Sequence, residues 1–266
     1  MTTKNPTSIL ITGASSGIGA ALARTYAAPG VRLALSGRNE ARLTMVAGLC
    51  RSAGAEVTAA LRDVTDAEAM AAWIAELDQQ RPLDLVIANA GISAGTAGGG
   101  EDRAQSEAVF AVNLDGVRNT VLPAMERMRA RGRGQIALMS SLAAFRGFPG
   151  APAYCASKAA VRIWGEALRG DLAGQGVGVS VICPGFVRSR MTEVNDFPMP
   201  FLMDAERAAV IIRRGLARNR GRIAFPWPTY FWAWLLGALP TPLTDRLLRQ
   251  MPRKAGAKAH GAVGSD

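Results

Sequence analysis

The sequence predicts an α/β fold: a doubly wound parallel β-sheet with helices on both faces, followed by an apolar and basic C-terminal extension. Three observations point there. Short apolar runs alternate with stretches of helical periodicity along the chain. Turn residues separate them at the spacing of βαβ units, which build parallel sheets through right-handed crossovers. The polar residues that can do chemistry fall just after the apolar runs, at the carboxyl ends of strands, where such sheets bind ligands.

The elements follow in order. SILIT, residues 8–12, is an apolar, β-branched run ending at Gly13 and reads as a buried strand. Residues 17–28 carry small residues at helical spacing until Pro29 and Gly30 stop them. A second strand is expected at 31–36. The helix over 39–54 places Leu43, Val46 and Leu49 on one face, with Gly54 past its end. A third strand, 56–60, precedes a helix capped by Asp66 and running to about Gln80. Residues 83–91 read as a fourth strand and turn. One long helix is expected over 103–130, then strands at 134–141, 177–185 and 222–226, with helices at 152–173 and 204–219 between them.

Composition excludes several classes of function. The chain has 266 residues, 49% hydrophobic and 20% charged, which is globular rather than disordered. One α/β domain is expected over 1–226 and an extension over 227–266. His260 is the only histidine, so a Ser-His-Asp triad, a Cys-His dyad and a histidine zinc site are not expected, and no metal is expected. Cys50, Cys155 and Cys183 are an odd, widely spaced set that fits a reducing cytosol and a cytoplasmic protein. The N-terminus has no long apolar run of the secretory type. The net charge of +10 is uneven: from Arg218 to Lys258, eight basic residues face Asp245 alone. They sit among tryptophans and prolines with no nucleic-acid module, so nucleic acid is not expected as a partner.

ITGASSGIG places Gly13, Gly17 and Gly19 between the first strand and the first helix. Glycines there let the backbone turn tightly and bring helix N-terminal N–H groups to a pyrophosphate. The spacing is G-x-x-x-G-x-G, and no lysine follows Gly19, so it is not a P-loop. Taken alone, it is also what an ordinary glycine-rich strand–helix turn looks like. At the end of the second strand stand Ser36, Gly37, Arg38 and Asn39, with no carboxylate before Glu40. An NAD enzyme usually offers an acid there to the ribose 2′-OH. Arg38 instead suits a 2′-phosphate, so NADP(H) is expected over NAD(H). Asp63, after the third strand, can accept from an adenine amino group beside the Val64 backbone, or cap a turn.

Tyr154 and Lys158 lie four apart in PAYCASKAA and share one helix face. A phenol ionises near 10 in water. An ammonium about 4 Å away contributes up to ~4 kcal/mol at an effective dielectric of 20, or at most about three pKa units. Such a tyrosine can protonate an alkoxide as hydride arrives. Ser141 ends the fifth strand and can polarise the same carbonyl oxygen. Asn113 stands inside the expected long helix, a poor place for Asn unless its amide has work such as holding a water.

TGASSGIG, Asp63, Asn89-Ala90-Gly91, Asn113, the Ser141/Tyr154/Lys158 set and Pro184-Gly185 stand in the order found in the short-chain dehydrogenase/reductase family. The chain resembles that family over about residues 7–226. The resemblance implies a Rossmann sheet, a nicotinamide cofactor and reversible alcohol–carbonyl chemistry. It implies that Tyr154 is the general acid/base and that Lys158 lowers its pKa and binds the nicotinamide ribose. Ser141 would orient the carbonyl, and Asn113 would hold a proton-relay water. Cofactor contacts are expected at Gly13, Ser15, Ser16, Gly17, Ile18, Gly19, Arg38, Asp63, Val64, Asn89, Ala90, Gly91, Tyr154 and Lys158. Pro184, Gly185 and Val187 would border the nicotinamide. Ser189 stands where relatives often carry Thr near the carboxamide.

FPMPFLM, residues 197–203, occupies the family's lid position, and its composition suggests an apolar pocket. Gly95–Gly100 reads as a loop able to line the same cleft. Residues 223–244 carry no charge but contain four prolines. The 11 residues between Pro228 and Pro240 reach about 16 Å as a helix, roughly half a hydrocarbon core. The segment therefore reads as interfacial, with Arg246, Arg249, Arg253 and Lys254 after it to meet anionic headgroups. A cover over the substrate cleft or a subunit contact is the alternative. The tail from Ala255 to Asp266 reads as disordered. The expected function is NADP(H)-dependent interconversion of a carbonyl and a secondary alcohol on a hydrophobic, lipid-like substrate, by a homo-oligomer, dimer or tetramer. The rival is a nucleotide-binding redox sensor or scaffold without turnover.

Overall fold

Seven strands, β1 Ser8–Ile11, β2 Arg32–Gly37, β3 Glu56–Leu61, β4 Leu85–Ala88, β5 Gly134–Met139, β6 Val177–Pro184 and β7 Arg222–Phe225, form one sheet. Its order is β3-β2-β1-β4-β5-β6-β7 and every pairing is parallel. The structure is a computed structural model that describes residues 5–93, 100–193, 195 and 197–248, without the side chains of residues 246 and 247. The strand order reverses between β1 and β4, which opens a crevice at their carboxyl ends.

The helices are α1 Gly17–Tyr26, α2 Glu40–Ser52, α3 Ala67–Gln80, α4 Arg103–Phe110, α5 Gly116–Ala130, α6 Pro152–Leu172, α7 Arg190–Glu193, α8 Ala205–Ala217, α9 Trp227–Ala238 and α10 Thr241–Leu248. Successive strand residues point to opposite faces, so each strand feeds two cores. Ile9 and Ile11 pack with Leu22 of α1 and Ile212 of α8. Leu10 packs on the other face with Ile74 of α3, Val121 of α5 and Val161 of α6. All of these are fully buried. Burying one such side chain contributes about 1.5–3 kcal/mol, so the sheet is a rigid base for its loops.

One expectation needs correction. The helix expected over 103–130 is interrupted by a π turn, Ala111–Asp115, in which the Gly116 N–H reaches back to the Ala111 carbonyl. A π turn accommodates an extra residue in a helix and often marks a functional site. Its cause is Asn113, whose amide is held from outside the helix. The fourth strand ends at Ala88 and gives way to the expected turn, where the Asn89 and Ala90 N–H groups leave the ladder and donate to Thr12 Oγ1, at 3.1 and 3.2 Å.

The first part of the extension sits on the body. Ala233 of α9 joins Leu142, Val181 and Cys183 in a small core, and Tyr230 meets the Phe145 ring edge-on at 5.4 Å. The basic residues Arg249, Arg253 and Lys254, the tail from Ala255, and residues 94–99 of the glycine-rich loop lie outside the described residues.

Candidate active site

A cleft of about 1300 Å³ opens over the carboxyl ends of the strands, floored by the loops after β1, β2, β3, β4, β5 and β6. At one end, Gly13 has φ +66° and Gly17 has φ +54°, a region open to glycine at little cost. A Cβ on Gly19 would overlap the Gly13 carbonyl oxygen, and one on Gly13 would come within 2.8 Å of Ala90 Cα. The loop is packed so closely that side chains are excluded. Ser16 precedes α1 without capping it by its side chain, which leaves the helix N-terminal amides free for an anion. Ser15, Ser16 and Ile18 line the same wall.

Asn89 locks this loop from across the crevice, its Nδ2 donating to the Thr12 carbonyl at 2.9 Å and to the Gly13 carbonyl at 3.2 Å. Thr12 thus ties the ends of β1 and β4 through both its hydroxyl and its carbonyl. Sequence reading passed over Thr12, although a hydroxyl directly before the first glycine was the available signal.

Arg38 is exposed at the end of β2 and lines the cleft with Arg42 and Arg62. The nitrogens Arg42 Nε and Arg62 Nε, together with Ser36 Oγ, are buried without a hydrogen-bond partner. Unpaired buried donors are costly, and three of them at one end of a cleft fit an incoming polyanion. Arg42 was missed in the sequence. It lies four residues after Arg38, the spacing that puts two side chains on one side of a helix start. Asp63 accepts from the Thr65 N–H at 2.9 Å and from the Thr65 hydroxyl at 2.8 Å. The Thr65 amide chiefly, with Arg38 adding its charge, holds its carboxyl below the usual range. The helix cap is Asp66, which accepts from Ala69 N–H. Val64 is buried beside Asp63. These residues fit a dinucleotide: a glycine cradle for pyrophosphate, an acceptor for adenine and cations beyond the ribose.

At the other end, Tyr154 and Lys158 rise from the first turns of α6 beside Ser141 at the end of β5. The Ser141 hydroxyl is close enough to the Tyr154 phenol to oppose the rise in its pKa. Ser141 Oγ accepts from the Ala143 N–H at 3.1 Å, so its own proton is directed elsewhere. Lys158 Nζ donates to the Met139 carbonyl at 3.0 Å and lies 5.9 Å from the centre of the Tyr154 ring. Burial pushes the Tyr154 phenol up. Burial also pulls Lys158 down to about 8. The expected depression of Tyr154 by Lys158 is therefore not what this geometry produces. Desolvation of the phenol is the largest influence on it, and the charge of Lys158 does not reverse it.

Asn113 does not line the cleft. It is fully buried behind Gly91, its Oδ1 accepting from the Ile92 N–H at 2.8 Å. Its Nδ2 donates to the Ile92 carbonyl at 2.9 Å and to Ser157 Oγ at 3.2 Å. The amide expected to hold a water is committed to protein partners. Asn89, Ala90, Gly91, Pro184, Gly185, Val187 and Ser189 all line the cleft, and Ser189 packs against the glycine loop at Gly17. Another group absent from the sequence reading is Glu101, whose carboxylate accepts from Ala153 N–H at 3.0 and 3.2 Å and caps α6. No local motif joins residues 52 apart.

The substrate side is apolar. Phe186 and Phe197 meet edge-to-face at 6.0 Å. Phe201 is held at φ +58° and is 59% exposed while still lining the cleft. A bulky residue in the left-handed region is uncommon, and such outliers cluster at ligand clamps and switch segments. Trp232 of α9 closes the same side.

Comparison with known proteins agrees with this arrangement. The family model for short chain dehydrogenases matches residues 7–197. An uncharacterized oxidoreductase of Myxococcus xanthus (strain DK1622) is 39% identical over 243 residues, covering 91% of this chain and 96% of that protein. A short-chain dehydrogenase/reductase from Burkholderia phymatum, crystallised with NAD, superposes with a TM-score of 0.81 at 25% identity, covering 92% of this chain and 96% of that one. A single-substitution variant of actinorhodin polyketide ketoreductase, crystallised with NADPH, superposes with a TM-score of 0.74 at 26% identity over 85% of this chain and 97% of that one. With the seven-stranded sheet, the glycine cradle and the Ser141, Tyr154 and Lys158 side chains in one cleft, the match is one of architecture and of motif together: this chain belongs to the short-chain dehydrogenase/reductase family of oxidoreductases.

Proposed function

We propose that the protein is an NADP(H)-dependent enzyme that interconverts a hydrophobic ketone or aldehyde and its alcohol, working most readily as a reductase near neutral pH. The observation that carries this is the gathering of Ser141, Tyr154 and Lys158 at the apolar end of a cleft whose other end fits a dinucleotide.

The nicotinamide, when bound, supplies the hydride to the carbonyl carbon or removes it in reverse. The chain's residues do the rest. The substrate oxygen accepts from the Ser141 and Tyr154 hydroxyls, which polarise the carbonyl before transfer. As negative charge develops there, Tyr154 gives up its proton and the alcohol forms; general acid catalysis of this kind contributes about 10²–10⁴-fold. The phenolate left behind faces Lys158, whose ammonium stabilises it and whose Met139 bond fixes its place. A lysine titrating near 8 exchanges protons readily at working pH. Asn113 positions the Gly91–Ile92 segment from behind, and Pro184, Gly185, Val187 and Ser189 border the nicotinamide.

The preference for NADP(H) rests on Arg38, Arg42 and Arg62 converging on the cleft end and on the absence of a carboxylate at residues 36–39. A phosphate there gains charge-assisted hydrogen bonds that a ribose hydroxyl does not. Steady-state assays of a carbonyl panel with NADPH and with NADH test the reading. Reduction of aliphatic or aromatic ketones with NADPH preferred supports it. Tight nucleotide binding with no turnover of any carbonyl or alcohol would mean a redox sensor or scaffold.

A further inference from the structure

Helix α9 has two apolar faces. Thr229, Trp232, Ala233 and Leu236, at i, i+3, i+4 and i+7, line the cleft. Trp227, Phe231 and Trp234, at i, i+4 and i+7, lie on the opposite side and take no part in the cleft. Trp227 is 70% exposed, and its ring stacks on Phe231 at 5.6 Å with an interplanar angle of 15°. Leu239 and Leu243, after α9, are exposed as well. Trp232, 60% exposed, belongs to both the cleft and the surface. The mouth between Trp232 and Phe201 therefore opens beside an uninterrupted aromatic surface. Contiguous exposed apolar area of this kind marks an interaction site.

We propose that this face seats the protein on an anionic lipid bilayer, with the mouth at Trp232 and Phe201 turned to the acyl chains, so that the substrate is a carbonyl-bearing lipid entering from the membrane. The inference rests on the carbonyl chemistry argued above for its substrate class; the docking itself does not.

Three observations select the bilayer. The face is built of tryptophan and phenylalanine with no charge from residue 223 to 244, the composition that settles at a water–hydrocarbon boundary. The residues that follow are basic, and Asp245, the one acid between Arg218 and Lys258, is already paired with Arg146 at 2.9 Å. Anionic headgroups match the sign of that charge. α9 is also seated on the body at backbone contact, where a Cβ on Gly237 would overlap the Phe145 carbonyl oxygen, and so presents its aromatics from a packed helix. Insertion across the bilayer does not fit. Among the described residues no helix is long and apolar enough to cross a membrane, and the 12 residues of α9 reach about 18 Å, against a core of about 30 Å.

The test uses the full chain, sedimented with vesicles of phosphatidylcholine alone and with phosphatidylglycerol added, at low and high salt. Wild type should pellet with the anionic vesicles, release in high salt as screening shortens, and show a blue-shifted tryptophan emission when bound. The triple variant Trp227→Ser, Phe231→Ser, Trp234→Ser should lose about tenfold or more in partitioning, since each aromatic contributes burial of 150–250 Å² at most. It should keep wild-type turnover of a short water-soluble ketone and lose turnover of a long-chain keto lipid held in vesicles. Circular dichroism checks its fold; if it unfolds, the single variant Trp227→Ser and the salt series carry the comparison. No pelleting of wild type, equal partitioning of the variant, or a dimer that the variant splits without any vesicle binding would overturn the proposal. Resistance to alkaline extraction would overturn it in favour of insertion. If wild type pellets but turns over no carbonyl, the docking stands and the reductase reading falls.

Discussion

Asn113 clasps Ile92 by both backbone groups, accepting from its N–H at 2.8 Å and donating to its carbonyl at 2.9 Å, from inside a π turn and with no exposure to solvent. The helix pays out one residue of slack at this point so that a side chain can hold the segment after Gly91 in place. Asn113→Ala would leave both Ile92 groups part-buried and without these partners, at up to about 1–3 kcal/mol each. We expect a loss of ~2–5 kcal/mol in urea unfolding and at least tenfold weaker NADPH binding by fluorescence titration. Asn113→Asp, which keeps the acceptor and loses the donor, should fall between. Unchanged unfolding in both variants would show that the clasp holds nothing.

Tyr154→Phe removes the proton donor and keeps the ring. kcat should drop by about 10²–10⁴, while the Kd for NADPH stays within about twofold. The Ser141→Ala variant should lose less, because one hydroxyl still reaches the carbonyl oxygen. Near wild-type turnover in Tyr154→Phe, measured with the best ketone of the panel, would remove Tyr154 from the chemistry.

Cofactor choice should follow the arginines. Arg38→Asp replaces a phosphate partner by a repelling carboxylate, and a charge-assisted contact of about 1.5–3 kcal/mol corresponds to roughly 10- to 150-fold. NADPH affinity should fall by that factor and NADH affinity should change little. Arg42→Ala should weaken NADPH in the same direction by a smaller factor. A wild type that already favours NADH would contradict the reading of residues 36–42.

Lys158 is held deprotonation-prone by burial, about 8 in the folded chain against 10.5 for an ordinary lysine. Between those values the unfolded chain binds more protons, so stability rises with pH across that window. The cost is fully present below pH 8. Lys158→Met should therefore be inactive yet more stable at pH 7, by up to ~3 kcal/mol, less the effect of leaving the Met139 carbonyl without its donor. That advantage should shrink as pH climbs towards 10.5. Urea melts of both proteins at pH 7 and pH 10 make the comparison, and an advantage that grows with pH would refute the burial account.

Glu101 supplies α6 with the cap its own sequence lacks: Ala151 precedes the helix and cannot accept from the Ala153 N–H. Glu101→Ala should lower stability by ~0.5–2 kcal/mol and reduce kcat by loosening the turn that carries Tyr154. Glu101→Gln, which still accepts, should restore most of both. Equal losses in the Gln and Ala variants would show that charge, not the hydrogen bond, is what matters there.

Much of the site is legible in the sequence because it is local. Gly13, Gly17 and Gly19 are read from spacing within one turn, since the close approach they permit needs no distant residue. Tyr154 and Lys158 share a face by helical geometry alone. Arg38 and Asp63 are found by their place after apolar runs. The helix break at Asn113 was not legible, because its cause is a bond to Ile92, 21 residues away. The pKa of Tyr154 was misjudged for a similar reason: spacing gives the neighbour, but burial, which outweighs it here, depends on what the rest of the chain packs around the phenol.

By itself the sequence determined the succession of strands and helices up to β7 and the parallel sheet, and it put most of the candidate residues at the carboxyl ends of strands, since period, turn chemistry and motif spacing are properties of short stretches of chain. Only the tertiary structure decided that Thr12 and Asn89 lock the glycine loop, that Glu101 caps α6, and that α9 walls the cleft with one face and shows three aromatic rings to solvent with the other. Each of those facts is a contact between residues far apart in the chain. Such contacts depend on how two packed layers meet across a sheet, and no local pattern of residue types carries that information.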